Sequence, residues 1–203
     1  MSTRYERRVA DIAELLAWTT FTRQPTLGST RLVCVDGRAG SGKTTLGRAL
    51  RDAAGELGSA RLLHMDDMYE GWSGLGSALT SRIAADLLAP LREDRAGRYR
   101  RYDWHRARFA EWHTVEPVDA LVLEGVGSGA AAYGDAITTL VWVEAPRELR
   151  LARGIARDGE QVRPRWLQWM DDENALFARE RTRQRADVVV DGTGDGDRAV
   201  VFE

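Results

Sequence analysis

Eight residues constrain this chain more than any others. Gly37-Arg-Ala-Gly-Ser-Gly-Lys43-Thr44 fits the pattern G-x-x-x-x-G-K-[ST]. It follows Arg31-Leu-Val-Cys-Val-Asp36, a short β-branched run of the kind buried in parallel sheets, and it opens a helical pattern from Lys43 to Leu57. Glycines let backbone N–H groups converge on an anion from angles that a Cβ would block. The helix that follows aims the positive end of its dipole at the same point. Composition sharpens the reading. Of 29 basic residues, Lys43 is the only lysine, and it falls inside the motif. A compact, flexible ammonium is retained where a planar guanidinium does not serve. Nucleotide phosphate is therefore the expected ligand of Gly37, Arg38, Ala39, Gly40, Ser41, Gly42, Lys43, Thr44 and Thr45. Lys43 reaches the outer phosphates, and the Thr44 hydroxyl completes a Mg²⁺ shell.

Around this loop the chain alternates strand and helix patterns. Candidate strands fall at 31–36, 61–65, 120–124, 139–143 and 188–190, and helical patterns at 7–20, 43–57, 75–91, 147–158 and about 165–185. The alternation predicts an α/β fold of three layers, with a mostly parallel five-stranded sheet covered on both faces. From Arg92 to His113 the pattern breaks down into arginines and aromatics without clear periodicity. The expected organisation is one domain over 1–203. It carries an N-terminal helix at about 6–20, a substrate insert at about 68–114 and a lid at about 147–164.

Bulk properties exclude several classes. A net charge of −2 argues against nucleic-acid binding by overall electrostatics, and 43% hydrophobic residues argue against disorder. The longest apolar runs are too short to span a bilayer, and the Arg- and Glu-rich start has no signal-peptide core, so a cytoplasmic protein is expected. A single cysteine, Cys34, fits a reducing compartment and reads as a small buried hydrophobe. His64, His105 and His113 lack metal-ligand spacing. No Asn-Lys-x-Asp is present for guanine, since Asn174 is the only asparagine.

A small-molecule kinase needs a base beside the acceptor hydroxyl and cations over the transferring group. The second strand pattern ends in His64-Met-Asp66-Asp67-Met-Tyr69, at the sheet edge where ligands gather. Asp66 is the favoured base, although either aspartate could instead cap the following turn. Glu124, ending the third strand pattern, would support Mg²⁺ or position substrate, or is a solvated strand end. Arg147, Arg150, Arg153 and Arg157 share a helix face and read as a mobile lid over the phosphoryl group, or as a solvated stripe neutralised by nearby acids. Tyr69, Trp72, Tyr102, Asp103, Trp104 and Trp112 gather with arginines between the second and third strands. They suit a stacked base and sugar hydroxyls, a single-strand nucleic-acid platform, or an insert with its own aromatic core.

These motifs, in this order over about residues 31–192, resemble the uridine (uridine–cytidine) kinase group, which lies close to phosphoribulokinases and pantothenate kinases. Gly37–Thr45 is similar to that group's phosphate loop and Asp66-Asp-Met-Tyr69 to its Asp-x-Phe-Tyr motif. The stretch Val115–Gly125 resembles its entry into strand three, Arg150–Asp158 its lid helix, and Ala186–Asp191 its terminal strand. The resemblance implies ATP and Mg²⁺ as cofactors and Asp66 as base. It places Tyr69 near a nucleoside, and Arg150, Arg153 and Arg157 on the phosphates. Asp67, Tyr69, Tyr102, Asp103 and Trp104 are the expected substrate contacts. Tyr99-Arg-Arg-Tyr-Asp-Trp-His105 departs from the group's Asn-Phe-Asp-His-Pro-like segment, Met68 replaces Phe, and Trp166 and Trp169 have no counterpart. The sequence thus implies phosphoryl transfer from ATP to a hydroxyl, with a nucleoside as first acceptor. A nucleotide, sugar phosphate, pantothenate or antibiotic acceptor, or a regulatory switch, is the alternative. A small molecule is the expected partner, with homo-oligomerisation open, and neither nucleic acid nor membrane is expected.

Overall fold

Strand residues that alternate between two apolar faces need cover on both, and this chain supplies it from separate helices. The computed structural model describes residues 3–194 and 200–202. In chain order it contains α1 (Thr3–Thr22), β1 (Arg31–Asp36), α2 (Lys43–Gly55), β2 (Ala60–His64), α3 (Ser77–Arg82) and α4 (Ala89–Arg92). There follow β3 (Gly97–Asp103), β4 (Arg108–Val115), β5 (Ala120–Glu124), β6 (Ile137–Glu144), α5 (Arg147–Asp158), α6 (Arg163–Glu180), α7 (Thr182–Arg185), β7 (Val188–Asp191) and β8 (Val200–Phe202). The main sheet has the order β2-β5-β1-β6-β7-β8. The five expected strands are all parallel, and β8 adds an antiparallel edge against β7.

On one face, Val33, Val35, Val122, Val141, Val143, Val188 and Val190 pack against Leu46 and Leu50 of α2 and against Ile12, Ala13 and Leu16 of α1. The N-terminal helix is therefore a structural layer. It is tied to the sheet by a buried 2.9 Å hydrogen bond between the Thr20 and Thr139 hydroxyls. On the other face Leu32, Cys34, Leu121, Leu123, Leu140 and Trp142 meet Leu87 and Leu91 from the insert and Leu176 and Phe177 from α6. Cys34 is fully buried, as expected. None of the described helices is long and apolar enough to cross a membrane.

Three segments differ from the sequence reading. Arg92–His113 lies largely in an antiparallel hairpin, β3–β4, with its register shifted between Arg100 and Tyr102. The ribbon stands outside the main sheet, so neither face needs a clean apolar alternation. Its turn uses Ala107 at φ 48°, without the Asn-Gly or Asp-Gly that marks hairpins in sequence. The helical pattern at 75–91 is interrupted by a π-helical stretch, Ile83–Leu88, just before Pro90. Proline lacks an N–H and its ring clashes with the carbonyl four residues back, so the wider turn upstream accommodates it. The long helix expected to Arg185 ends instead at Glu180, because Arg181 adopts φ 52° and caps it.

Candidate active site

Parallel register assembles the site. β1 lies beside β5 with Val35 opposite Glu124, and β2 lies on the other side with His64 opposite Glu124. Asp36, Glu124 and His64 therefore end neighbouring strands at one edge of the sheet, where the phosphate loop leaves β1. A cavity of about 500 Å³ opens there, lined in part by Gly40, Gly42, Lys43 and Thr44.

The loop is braced from beneath. Gly40 has φ 80°, and a Cβ there would lie 2.5 Å from the Arg150 carbonyl oxygen, so α5 sits directly on the loop backbone. Fully buried Asp36 accepts N–H bonds from Gly37 at 2.7 Å and from Gly127 and Gly129 at 2.9 Å. Burial pushes its pKa up to about 6 while those amides pull it back. Glu173, also fully buried, accepts the Ala39 N–H at 2.7 Å and the Arg150 guanidinium at 2.6 Å. The Lys43 ammonium closes the loop by donating to the Arg38 carbonyl at 3.0 Å.

At the start of α2, the Thr44 hydroxyl donates to Glu124 at 3.1 Å. The same carboxylate oxygen is 2.5 Å from His64 Nδ1. That hydrogen bond raises the His64 pKa, with burial opposing it. A hydroxyl and a carboxylate side by side are the hard oxygen donors that Mg²⁺ accepts. Because Mg²⁺ keeps several waters and phosphate oxygens, two protein oxygens suffice. No cluster of three metal-ligating side chains occurs among the described residues.

Of the two aspartates, Asp66 lines the cavity and Asp67 does not. The Asp66 carboxylate opens into the cleft, and no side chain among the described residues donates to it. Loss of water within the cleft walls raises its pKa above the ordinary value, and Glu124 adds to this, against Lys43, Arg157 and His64. Arg153 and Arg157 also line the cavity. Arg153 donates to the carbonyls of Gly40, Gly192 and Thr193 at 3.3, 2.9 and 3.0 Å, which ties α5 to the loop and to the end of β7. Arg157 grips Asp158 through two bonds of 2.8 and 3.0 Å and lies 5.6 Å from the Trp166 ring centroid. Burial works against ionising Asp158, yet hydrogen bonds from Arg157 and Trp166 hold its pKa below the ordinary value.

The remaining wall is aromatic. Tyr69, Trp72, Trp104, Trp166 and Trp169 line it. Trp72 makes edge-to-face contacts with Trp104, Trp166 and Trp169 at 5.8, 6.4 and 6.0 Å, and Tyr69 meets Trp169 at 5.1 Å. The Trp104 indole donates to the Asp66 carbonyl at 2.8 Å, which fixes the hairpin turn beside the candidate base. Buried Tyr69 keeps its proton, because desolvation raises its pKa, and donates it to the Val126 carbonyl at 2.8 Å.

Several expected contacts fall elsewhere. Arg150, expected on the nucleotide, is only 3% exposed, and its guanidinium is consumed by Glu173, Ala39 O and Ala145 O, so it positions the loop from behind. Arg38 turns onto the Trp142 and Phe177 rings and donates to Asn174 at 3.1 Å. Ser41 is fully buried, its hydroxyl without a partner among the described residues, and Thr45 faces outward on α2. Asp103 accepts the His105 and Arg106 N–H groups at 3.0 Å each and so shapes the hairpin turn instead of the cavity. Tyr102 supports Trp104 edge-on at 5.6 Å from outside the lining. The hairpin arginines do not line the cavity either: Arg100 donates to Ala110 O and Arg101 to Glu111. Sequence reasoning missed Asp36, His64, Glu173 and Asp158 as site residues, and left Trp166 and Trp169 without a role. Asp36 alone had a local signal, as the last strand residue before the first loop glycine.

Comparison with known proteins agrees with this architecture. No family model and no curated protein matches the sequence. Among solved structures, a protein described as a possible uridine kinase from Bacillus stearothermophilus superimposes with a TM-score of 0.64 at 21% identity. The match covers 90% of this chain and 97% of that one. A candidate fructose transport system kinase from Silicibacter sp. TM1040 gives 0.54 at 20% identity, over 86% of this chain and 94% of that one. At these identities the likeness shows that this chain shares the fold of those two structures.

Proposed function

We propose that this protein is an ATP- and Mg²⁺-dependent kinase that phosphorylates a hydroxyl of a small metabolite, with a nucleoside as the first acceptor to test. One observation carries the reading: the glycine-rich loop, the Thr44–Glu124 pair, two arginines and an open carboxylate converge on a single cavity. Loop amides and Lys43 bind and orient the phosphates of ATP. Thr44 and Glu124 would hold Mg²⁺, which when bound offsets the charge of the outer phosphates. Asp66 takes the proton from the acceptor hydroxyl as its oxygen bonds to the γ-phosphorus. The bond from γ-phosphorus to the β–γ bridging oxygen breaks, and ADP leaves. Arg157 neutralises charge on the transferring group, Arg153 holds α5 against the loop through its three carbonyl bonds, and the tryptophan wall excludes water that would compete as acceptor.

The test is ATP consumption by the purified full chain across nucleosides, nucleotides, pantothenate and sugars, with Lys43→Ala as control. Acceptor-dependent ADP release that the Lys43→Ala variant lacks is expected. ATP binding with slow hydrolysis that no acceptor accelerates would replace the kinase reading with that of a nucleotide-dependent switch.

A further inference from the structure

The arginines of the β3–β4 hairpin take no part in the cavity at the phosphate loop, yet they help to build another. Between the hairpin and α3, with the π-helical stretch that continues it, lies a second cavity of about 280 Å³ that shares no lining residue with the first. Met68, Leu79, Ile83, Phe109 and Trp112 give it an apolar surface, the first three of them buried. Arg82, Arg98 and Arg100 also line it, against one acid, Asp86, which forms no ion pair with any of them among the described residues. Two of the arginines are occupied. Arg82 donates to the Met68 carbonyl at 3.3 Å and lies 3.8 Å from Glu70, while Arg100 donates to the carbonyls of Ala110 and Phe109. Arg98 is different. Its guanidinium lies over the Trp112 ring, 4.5 Å from the centroid, and no hydrogen bond or ion pair among the described residues takes its N–H groups. A guanidinium held over a ring keeps its N–H edge for a planar anion, which it grips through two parallel bonds.

We infer that the insert carries a second ligand site, for a small carboxylate with an apolar ring. The carboxylate pairs with Arg98, and the ring lies among Met68, Leu79, Phe109 and Trp112. One uncommitted guanidinium satisfies both oxygens of a carboxylate but leaves the third oxygen of a phosphate without a donor. The volume lies at the small end of ligand cavities, which suits a compact ring body and not a nucleotide. The position in the fold gives occupancy a consequence. Met68 closes the turn that carries Asp66 and Asp67: its N–H donates to the Met65 carbonyl at 2.8 Å, and its own carbonyl accepts Arg82. From the other side, Trp104 of the hairpin holds the Asp66 carbonyl. A ligand seated between α3 and the hairpin favours the arrangement in which both supports are in place, and so steadies the turn that bears the candidate base.

Two measurements on the full chain test this, and neither needs turnover, so their outcome is independent of the kinase reading. Saturation-transfer NMR is titrated with phenylacetate and with its neutral counterpart phenylethanol, with and without saturating ATP. Amide hydrogen exchange is then followed with phenylacetate bound. Phenylacetate should bind, with an affinity that ATP leaves unchanged, and phenylethanol should bind at least about 10-fold more weakly, the lower end for a hydrogen bond to a charged group. Arg98→Ala should bring the same loss, and Arg98→Lys should recover only part of it, because an ammonium is not a planar fork. Trp112→Ala should weaken binding about 2- to 10-fold. Both side chains are exposed, so these variants keep the fold. Bound phenylacetate should slow exchange at residues 65–69 and 98–112 and leave 37–45 unchanged. No binding, equal affinity for the acid and the alcohol, undiminished binding in Arg98→Ala, or displacement by ATP would overturn the inference. So would a loss in Trp72→Ala in place of Arg98→Ala, which puts the carboxylate in the first cavity, or exchange at 65–69 that phenylacetate does not slow.

Discussion

The phosphate loop and the aromatic wall share one cavity, yet they are built in opposite ways. The loop is contiguous in sequence, its chemistry resides in backbone amides, and its shape is fixed by glycine φ angles and by buried Asp36 and Glu173 beneath it. The wall is collected from the residues after β2, the β3–β4 turn and α6, and its chemistry resides wholly in side chains. Binding that depends on backbone requires a local motif. Binding that depends on side chains requires only that the topology bring rings together.

The largest effect that separates the two regions is expected from Lys43→Ala. Phosphoryl transfer should drop on the order of 10³-fold, as when a single oxyanion-stabilising donor is removed. Acceptor binding at the tryptophan wall, read by indole fluorescence, should hold. Loss of both together would mean that the loop and the wall are not independent. The Arg150–Glu173 pair tests the loop from behind. Arg150→Ala leaves a buried carboxylate without its partner and should cost about 3–5 kcal/mol in urea denaturation, with weaker ATP binding. An unchanged midpoint would show that the loop does not need this brace.

Asp36 gives a pH signature. Its pKa in the folded chain, about 6, is above the ordinary aspartate value, so the unfolded chain ionises first. Its contribution is therefore most favourable below about pH 4 and is lost as pH rises through 6, by about 3 kcal/mol in all. Melting temperatures of the wild type minus those of Asp36→Asn should fall across that window, and a flat difference would contradict the buried assignment. The smallest effect is expected in the wall. Gly154→Ala pushes a methyl into the Trp166 ring and should cost about 1–2 kcal/mol, since part of the overpacking is offset by better helix propensity. The KM of the acceptor should rise while that of ATP stays put.

What could be read from sequence follows the same division. Five parallel strands, the loop, and Asp66 at a strand end were legible because each has a local cause: β-branched runs, glycine spacing and the carboxyl edge of a parallel sheet. The β3–β4 hairpin was illegible because a two-stranded ribbon outside the main sheet carries arginines on both strands and turns at Ala107 without glycine. Arg150 was misplaced because helical periodicity groups the four arginines on a face without saying which of them meets Glu173, 23 residues later. Trp166 and Trp169 acquire a role only once α6 is seen to return over the cavity.

The most direct test compares Asp66→Asn with Asp67→Asn in single-turnover phosphoryl transfer, with ATP affinity measured in parallel. Asp66→Asn should bind ATP normally and lose about 10²–10⁴-fold in transfer, the usual contribution of a positioned base. The acid limb of the wild-type rate should lie above the ordinary aspartate range, because only the ionised carboxylate accepts the proton and the cleft raises its pKa. Asp67→Asn should stay within a few-fold of wild type. Undiminished transfer in Asp66→Asn, or a loss seen only in Asp67→Asn, would contradict the account.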